Sequence, residues 1–434
     1  MNLYFLIPVY SLVCLVIVMM TKYKYRIYIL PNTVYTVLWA GVGCLGILNN
    51  LDLLEPSLKV HFYILTSIVI FNITYFIFSP QFKSNRKPLQ NTVGSNYIID
   101  YKLVYYFTAI ALLLLSIHTV EAFNIVLRNG LDMTLIRNTN NYNVENSGVL
   151  FFGFLTRSIP LAITTAVSLI SAINLNLNNK KLSLCAILLI SVYTFTFGGR
   201  FQLLNFVTFY LATYLIFKNK FKVKIRKRYI GLAIIMLALM TILRGAELSL
   251  LIEKVIIYFV GSLSFLELII SNPNFFGIGE VPIIGFLTFG FIFEPIVLAL
   301  KLFFGVNIDV PSYYFNIHAQ KFYDIGEATV RLYNNNTTMF YNFIYDFGQI
   351  GVILGPIIIC LLICISESKY NKKNNLRSLL FLVFLYSVIV NSPMMYTLTN
   401  INSSLILIFL FIFVKKQRKS TFIKHDRKVE GIAW

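Results

Sequence analysis

Charged side chains are scarce in this chain. Only 13% of its 434 residues are Asp, Glu, Lys or Arg, whereas about a quarter of a soluble domain is charged. The hydrophobic share is 57% and the mean hydropathy is +0.73. A water-soluble core cannot bury that much apolar surface, so a cytosolic enzyme is excluded. Apolar runs of about 20 residues recur without the alternation of a membrane barrel, and they predict an all-α polytopic integral membrane protein.

Acidic residues are the scarcer of the two charge signs. The chain has 18 Asp and Glu against 37 Lys and Arg, a formal net charge of +19. Of these, 27 cations but only four acids fall in segments that alternate along the chain between apolar runs. This bias follows the positive-inside rule, so it indicates topology and no nucleic-acid partner. It predicts an N-terminus outside and a C-terminus inside.

Cysteines and the common cofactor motifs are also few. The five cysteines lie inside apolar runs, where a thiol behaves as a small hydrophobe, so neither a disulfide nor a metal site is predicted. The predicted outer loops contain no Asp-x-Asp pair, and the chain has no P-loop and no Gly-x-Ser-x-Gly motif. We therefore expect no metal and no cofactor, and any leaving-group charge would have to be neutralised by cationic side chains.

Eleven membrane helices are predicted within a single membrane domain, 1–434. They cover 3–21, 28–48, 60–79, 103–120, 149–173, 182–198, 201–217, 229–244, 347–366, 377–392 and 401–414.

Two of the predicted outer segments are long. The first, 121–148, is polar and rich in asparagine, and the second, 245–346, contains apolar stretches at 255–271 and 283–304. The turn between these stretches has no Lys or Arg, although a cytoplasmic turn is expected to be basic. We therefore predict interfacial or re-entrant helices here rather than two further spans. A basic cytoplasmic tail, 415–434, follows the last helix.

Ten cations remain outside the predicted cytoplasmic segments, and six of them are arginines. Guanidinium is a planar fork that binds phosphate in a bidentate manner, so an outward cavity lined by arginine suggests a lipid that carries phosphate or pyrophosphate. Arg200 is the strongest candidate, because Phe197-Gly-Gly-Arg200 predicts a tight outer turn between two membrane helices. The ten are Lys59, Arg128, Arg137, Arg157, Arg200, Arg244, Lys254, Lys301, Lys321 and Arg331.

Each arginine also has a structural interpretation. Arg200 could be a snorkelling side chain at a helix end, and Arg244 ends the eighth predicted helix, where a cation is favourable by itself. Arg157 lies inside the fifth, where an ionisable residue is either a site residue or the partner of a nearby carboxylate. Arg128 and Arg137 belong to the polar loop, where they would bind substrate or simply be solvated.

A cluster of titratable residues precedes the ninth predicted helix. His318 or Glu327 could act as a general base, Arg331 could hold a leaving phosphate, and Lys321 could bind substrate. The alternative is a solvated amphipathic helix, which would leave these side chains without a chemical role.

One stretch of sequence resembles a family signature. It reads Asn334-Asn-Asn-Thr-Thr-Met-Phe-Tyr-Asn-Phe-Ile-Tyr-Asp346-Phe-Gly348-Gln-Ile-Gly351. It resembles the Asn-x-x-Thr, aromatic-rich and Asp-Phe-Gly pattern of bacterial O-antigen polymerases, the oligosaccharide repeat unit polymerases. The Gly-Gly-Arg200 turn and Leu-Arg244-Gly before a long outer loop are similar to the family's, and chain length and architecture match over essentially the whole sequence.

The resemblance implies an inner-membrane glycosyltransferase of the polyprenol-phosphate-dependent (GT-C) type, with a periplasmic active site. Such an enzyme of lipopolysaccharide biosynthesis transfers the growing glycan from undecaprenyl pyrophosphate to the non-reducing end of a new undecaprenyl-pyrophosphate-linked repeat unit. The motifs imply catalytic roles for Arg200, Arg244 and Asp346. The resemblance also implies a chain-length regulator protein as a partner.

The chemistry adds further assignments to these. Arg331 would join the two motif arginines in offsetting the pyrophosphate charge, and Asp346, His318 or Glu327 would accept the hydroxyl proton. Asp346 has an alternative role, because a carboxylate at the start of a helix complements the helix dipole. Tyr341 and Tyr345 could stack on sugars, although aromatic residues are expected at a membrane interface in any case.

Two other functions remain open at this stage. An O-antigen ligase uses the same donor, and His318 followed by Gly326 loosely resembles its essential histidine. A lipid-linked oligosaccharide flippase has a similar length, but it would show twelve or more evenly spaced helices with short loops.

Overall fold

The computed structural model describes most of the chain between Leu3 and Lys416. The described residues are 3–48, 51–79, 97–145, 150–174, 180–218, 231, 235, 238, 251–272, 282–319, 322–333, 337–373 and 375–416.

Helices dominate the described residues. They are α1 (Leu6–Tyr25), α2 (Pro31–Leu48), α3 (Leu58–Phe78), α4 (Tyr101–Asn129), α5 (Met133–Glu145), α6 (Leu150–Gly153), α7 (Ile159–Ile173), α8 (Lys180–Phe197), α9 (Phe201–Lys218), α10 (Leu251–Ser271), α11 (Gly290–Phe304), α12 (Pro311–Ala319), α13 (Thr338–Phe347), α14 (Gly351–Lys373), α15 (Leu376–Asn391) and α16 (Ile401–Phe413). Four short strands accompany them: β1 (Tyr97–Ile99), β2 (Tyr323–Asp324), β3 (Leu332–Tyr333) and β4 (Val414–Lys416).

The chain is an all-α, multi-pass membrane protein. Seven helical stretches in its described part are long and apolar enough to cross a bilayer, and shorter apolar helices accompany them. Helices are found at each predicted span except 229–244, which lies outside the described residues apart from three helical positions. The number eleven itself stays a prediction.

The first long outer segment differs from the expected loop. α4 continues to Asn129, and α5 covers most of the polar stretch. Asp132 starts α5, because its carboxylate accepts the backbone N–H groups of Thr134 and Leu135 at 2.8 and 3.0 Å. The buried Asn140 then donates to the Thr196 carbonyl at 2.6 Å, which docks α5 on the end of α8. Asparagine therefore serves packing as well as solvation here.

Polar side chains connect the first three helices inside the bundle. Asn32 on α2 donates to the Thr21 hydroxyl at 2.7 Å and to the amide oxygen of Asn72 at 3.0 Å. Asn72 on α3 donates to the Thr36 hydroxyl at 2.8 Å. The bilayer core has no water to form hydrogen bonds with such side chains. These bonds therefore fix how the three helices pack together.

The strand pairs lie at opposite ends of the bundle. β1 precedes α4, β4 follows α16, and the two pair antiparallel. The β2–β3 hairpin is bridged instead to the loop between α2 and α3, through Leu53 and Gly326. Following the predicted orientation, we call the end with β1 and β4 the cytoplasmic end and the other the outer end.

α10 lies across the outer end. Along its length Arg200 bonds to Tyr258, Ser262 donates to the Pro393 carbonyl at 2.6 Å, and Glu267 accepts the Ser57 backbone N–H at 2.8 Å. These partners all belong to connections between helices at the outer end, although residues 258 and 267 are about 13 Å apart along a helix. Such contacts are typical of an interfacial helix rather than of a span.

The Asp-Phe-Gly stretch forms a break between two helices. α13 ends at Phe347, Gly348 has a φ of +63°, and α14 begins at Gly351. The expectation that Asp346 starts a helix is therefore wrong, because it lies in the last turn of α13. Gly351 and Gly355 allow close packing, since a Cβ on either would fall within 2.1 Å of Phe343, whereas Gly348 has nothing within 4 Å.

Candidate functional site

The first turns of α10 bring two of the predicted arginines to one place. Nη1 of Arg331 lies 3.1 Å from Oε1 of Glu253. The Arg200 guanidinium donates to the Tyr258 hydroxyl, with its carbon 5.2 Å from that ring's centroid. Glu253 and Tyr258 are about 7.5 Å apart along the helix axis. Two arginines that are distant in sequence thus contact neighbouring turns of one helix at the outer end, on faces about 140° apart.

Arg200 owes its position to the predicted turn. Gly198 has a φ of +60°, a conformation that L side chains rarely adopt, and it separates α8 from α9. The Arg200 carbonyl accepts the backbone N–H groups of Leu203 and Leu204 at 3.1 and 3.2 Å, so Arg200 opens α9 as predicted. Its half-buried side chain is therefore held at the rim of the bundle.

Arg331 is carried by the β2–β3 hairpin rather than by a helix. The Asp324 carboxylate accepts the backbone N–H groups of Gly326 and Arg331 at 3.0 and 2.8 Å, and the Ile325 backbone N–H donates to the Arg331 carbonyl at 3.0 Å. A Cβ on Gly326 would lie 1.8 Å from the Thr329 carbonyl oxygen, so the turn requires glycine. The amphipathic helix considered for the cluster from His318 to Arg331 is wrong for residues 323–333, because these form a hairpin, whereas His318 lies on α12.

Asp52 fastens the hairpin to the bundle. Its carboxylate accepts the backbone N–H groups of Ala328 and Thr329 at 2.9 and 2.8 Å and also the Thr329 hydroxyl. The Leu54 backbone N–H donates to the Ile325 carbonyl at 2.7 Å. The hydrogen bonds from Thr329 and Ala328 hold the pKa of Asp52 below its usual value. Sequence analysis missed Asp52, since nothing around it signals a partner so far along the chain.

An open cleft of about 290 Å³ lies between the hairpin and α10. Its walls are mostly aliphatic, and Arg331 is the charged residue in the lining. The lining residues are Leu53, Ile257, Ile325, Thr329, Val330, Arg331, Leu332 and Tyr333. A guanidinium beside an apolar wall suits an anion attached to a nonpolar group.

Asp346 is engaged by backbone groups. Its two carboxylate oxygens accept the N–H groups of Leu287 and Thr288 at 3.1 and 2.6 Å, and its residue is buried. The Tyr396 hydroxyl donates to the Thr288 carbonyl at 3.1 Å. This geometry supports a structural role, in which Asp346 ties α13 to the turn before α11. The predicted role as a base stays a prediction.

Tyr341 and Tyr345 on α13 are buried side chains. Their ring centroids lie 5.8 Å apart, and Phe315 packs edge-on against Tyr341. In this conformation neither ring offers a free face to a sugar. Glu327 differs from them, because it lies exposed on the hairpin while its backbone N–H donates to the Asp52 carbonyl at 3.3 Å.

The other predicted arginines lie elsewhere on the molecule. Arg157 belongs to a π-helical turn, Phe154–Ser158, ahead of Pro160, and its guanidinium carbon lies 5.8 Å from the Phe197 ring centroid. Arg128 and Arg137 are exposed on α4 and α5. The cleft lining includes none of these three described residues.

Three of the predicted site residues have side chains outside the described part of the structure, so their distance from the cleft is not defined. Arg244 and Lys321 lie outside the described residues. His318 is on α12, but its side chain is outside the described part of the structure.

The described residues contain no group of three or more His, Cys, Asp or Glu side chains that could hold a metal ion. The cleft offers cationic and hydroxyl donors, contributed by Arg331 and Thr329. Comparison of the chain with known proteins adds nothing to this description, because no family model, no curated protein and no solved structure matches it.

Proposed function

We propose that the chain is an O-antigen polymerase of the bacterial inner membrane, with its cleft on the periplasmic face. It transfers the growing glycan from undecaprenyl pyrophosphate to the non-reducing end of a new undecaprenyl-pyrophosphate-linked repeat unit. The resemblance around Asp346 suggests the reaction, and the multi-pass architecture agrees with a lipid-linked substrate. The N-terminus is then periplasmic and the C-terminus cytoplasmic.

The observation that carries the proposal is the position of Arg331 in the lining of an outer cleft, with Arg200 on a neighbouring turn of α10. Both arginines are phosphate-binding candidates in the sequence. Arg331 lines an open cleft with mostly aliphatic walls, and Arg200 contacts Tyr258, the chain neighbour of the lining residue Ile257. A polyprenyl pyrophosphate has both features that such a cleft accommodates: a multivalent anion and an apolar chain. Fixed guanidinium groups stabilise the charge that develops on a leaving pyrophosphate.

The proposed reaction is a single displacement at an anomeric carbon. The acceptor hydroxyl oxygen forms a bond to that carbon while the bond from the carbon to the pyrophosphate oxygen breaks, and the lipid pyrophosphate leaves with the electron pair. Arg331 and Arg200 offset its charge. The hydroxyl proton passes to a base, for which the exposed Glu327 is better suited than Asp346, whose oxygens already accept two backbone N–H groups.

The test is the lipopolysaccharide profile of a strain that lacks this gene. The strain is complemented with the wild type, Arg200→Ala, Arg331→Ala or the control Lys301→Ala. Lys301 is an outer cation that pairs with Asp309 at 3.6 Å and is no part of the cleft lining. We expect core with a single repeat unit in the deletion strain, a full ladder with wild type and control, and a lost or shortened ladder with Arg331→Ala and with Arg200→Ala at normal protein level.

Other outcomes separate the alternatives. Bare core without any repeat unit in the deletion strain would overturn the polymerase proposal and favour a ligase or a flippase. An intact ladder in the deletion strain would place the protein outside O-antigen assembly. A full ladder with both arginine variants would leave a polymerase whose site lies elsewhere.

A further inference from the structure

Arg331 lines the cleft and pairs with Glu253 on the neighbouring helix α10. Only one bond is formed, from Nη1 to Oε1 at 3.1 Å, and both side chains are about one-third exposed, at 34% and 29%. A guanidinium binds a carboxylate or phosphate most strongly through two parallel bonds. The single bond to Glu253 is therefore weaker than the bidentate interaction that the Arg331 guanidinium can form with an anion.

The Arg331 guanidinium also has a donor that is not used. Its Nε is buried, and among the described residues it has no hydrogen-bond partner. A buried donor without an acceptor is unfavourable, so an anion that reaches both Nε and Nη would satisfy it. The hairpin meanwhile holds the Arg331 backbone through Asp324 and Ile325, so the side chain can change partner while its anchor stays in place.

The cleft walls indicate the kind of anion. Val330 and Leu332, which flank Arg331 in the chain, are 76% and 64% exposed, and Ile257 and Leu53 line the same cleft. A free inorganic anion gains nothing from these apolar surfaces, whereas a phosphate or pyrophosphate head on an isoprenoid chain would cover them.

We propose that Glu253 is a built-in competitor for the anion site at Arg331, and that an isoprenoid pyrophosphate displaces it on binding. Glu253 repels the incoming anion. When no anion is bound, Glu253 pairs with Arg331, so the two charges offset each other. Release of the anion re-forms the pair, which favours product departure. The identity of the ligand rests on the proposed function; the competition between a carboxylate and an anion for one guanidinium does not.

The experiment measures anion affinity on the purified full-length protein. Inorganic pyrophosphate is titrated by calorimetry into the wild type, Glu253→Gln, Arg331→Ala and the double variant, and each titration is repeated at high salt. Asp309→Asn is the matched control, because Asp309 is also a half-exposed outer carboxylate in an ion pair, with Lys301. A second series uses undecaprenyl pyrophosphate in detergent micelles.

We expect Glu253→Gln to bind pyrophosphate about fivefold more tightly than the wild type, because the competing carboxylate is removed. The gain is modest because a partly exposed ion pair is weak. The gain should shrink at high salt and vanish in the double variant with Arg331→Ala, while Asp309→Asn binds as the wild type does. The lipid should bind more tightly than the soluble anion.

Three results would overturn the competition. Equal affinity of Glu253→Gln and wild type would show that Glu253 does not compete, and an equal gain in Asp309→Asn would reduce the effect to overall charge. Absence of binding in every variant would mean that the cleft is not an anion site.

Equal binding of lipid and soluble pyrophosphate would leave the competition standing but would show that the isoprenoid chain does not contribute to binding. Since the ladder assay is independent, a lost ladder in Arg331→Ala together with unchanged pyrophosphate affinity in Glu253→Gln would refute the competition and leave the proposed function standing.

Discussion

Arg331 at the outer end and Arg377 at the cytoplasmic end show two uses of the same side chain. Arg377 donates to the Val414 carbonyl from Nε and Nη2 at 3.1 and 2.7 Å and to the Phe411 carbonyl at 3.2 Å. Its guanidinium carbon also lies 4.8 and 4.6 Å from the ring centroids of Tyr97 and Phe411. Arg331 makes one side-chain ion pair beside an open cleft.

The difference lies in what surrounds each guanidinium. Backbone carbonyls and aromatic faces engage Arg377, and they join α15 to the end of α16 and to β1, so this arginine is structural. Arg331 is held by its backbone instead, while its side chain has an exchangeable partner. Residue type and sidedness therefore select candidates, but the partners of the guanidinium decide between a structural role and a binding role.

The largest expected effect is on activity at the outer end. Arg331→Ala should lower the rate of glycan transfer about 100-fold, as loss of one preorganised charge donor does elsewhere. The apparent unfolding temperature should stay close to that of the wild type, because the side chain makes a single ion pair that is about one-third exposed. Transfer is measured on purified protein with lipid-linked repeat units, and unfolding is followed in the same detergent. A large loss of stability would mean that Arg331 is structural like Arg377.

Arg377→Ala should have the opposite profile. Loss of its charge-assisted bonds to two carbonyls should cost about 2 kcal/mol of stability. The unfolding temperature and the membrane-inserted protein level should fall, while transfer per folded molecule is retained. A variant with normal stability but lost transfer would contradict the division between the two ends. Lys416→Ala is the control, since Lys416 lies in the same β1–β4 pair with an exposed side chain.

Gly326→Ala tests the hairpin that carries Arg331. The new Cβ would lie 1.8 Å from the Thr329 carbonyl oxygen, so the turn must open, at a cost of about 1–3 kcal/mol confined to the hairpin. Increased hydrogen exchange of residues 323–333 and a reduced transfer rate are expected, with little change in the membrane helices. Gly41→Ala is the matched control, because a Cβ there meets nothing within 4 Å. Unchanged exchange in Gly326→Ala would show that the hairpin does not need this glycine.

The smallest effect is a pH dependence of the same hairpin. Hydrogen bonds lower the pKa of Asp52 in the folded protein, so its stabilisation is complete above the unfolded-state pKa of about 4 and is lost as the pH falls through the lower folded value. Exchange of the Ala328 and Thr329 amides, corrected for intrinsic rates, should be constant from neutral pH to about pH 5 and rise below about pH 4. Asp52→Asn should show faster exchange throughout and no such rise. The same acid response in that variant would assign it to another group.

Local patterns in the sequence predicted much of the fold. The apolar runs identified helices at each described span, because burying a backbone in lipid requires internal hydrogen bonds. The turn at Gly198 was also predicted, since a glycine pair before Arg200 has a local cause. The prediction failed for residues 323–333, whose charged side chains are equally consistent with an exposed helix and a hairpin.

The candidate site was predictable in part. Arg200 and Arg331 were selected from the rarity of outer cations, but their common support on α10 was not, because Glu253 and Tyr258 carry no signal in an apolar stretch. Asp346 was recognised by its motif, yet its partners Leu287 and Thr288 are backbone groups and leave no trace in the sequence.

By itself the sequence determined that this chain is a multi-pass membrane protein, and its alternating basic loops predict which few cations lie on the outer side. Hydropathy and charge decide these properties residue by residue, whatever the helices later contact. Only the tertiary structure decided that Asp52 fastens a hairpin, that this hairpin holds Arg331 against Glu253, and that Arg377 is engaged by backbone carbonyls. Those outcomes depend on contacts between distant segments, and the free energy of such contacts depends on geometry that no local pattern encodes.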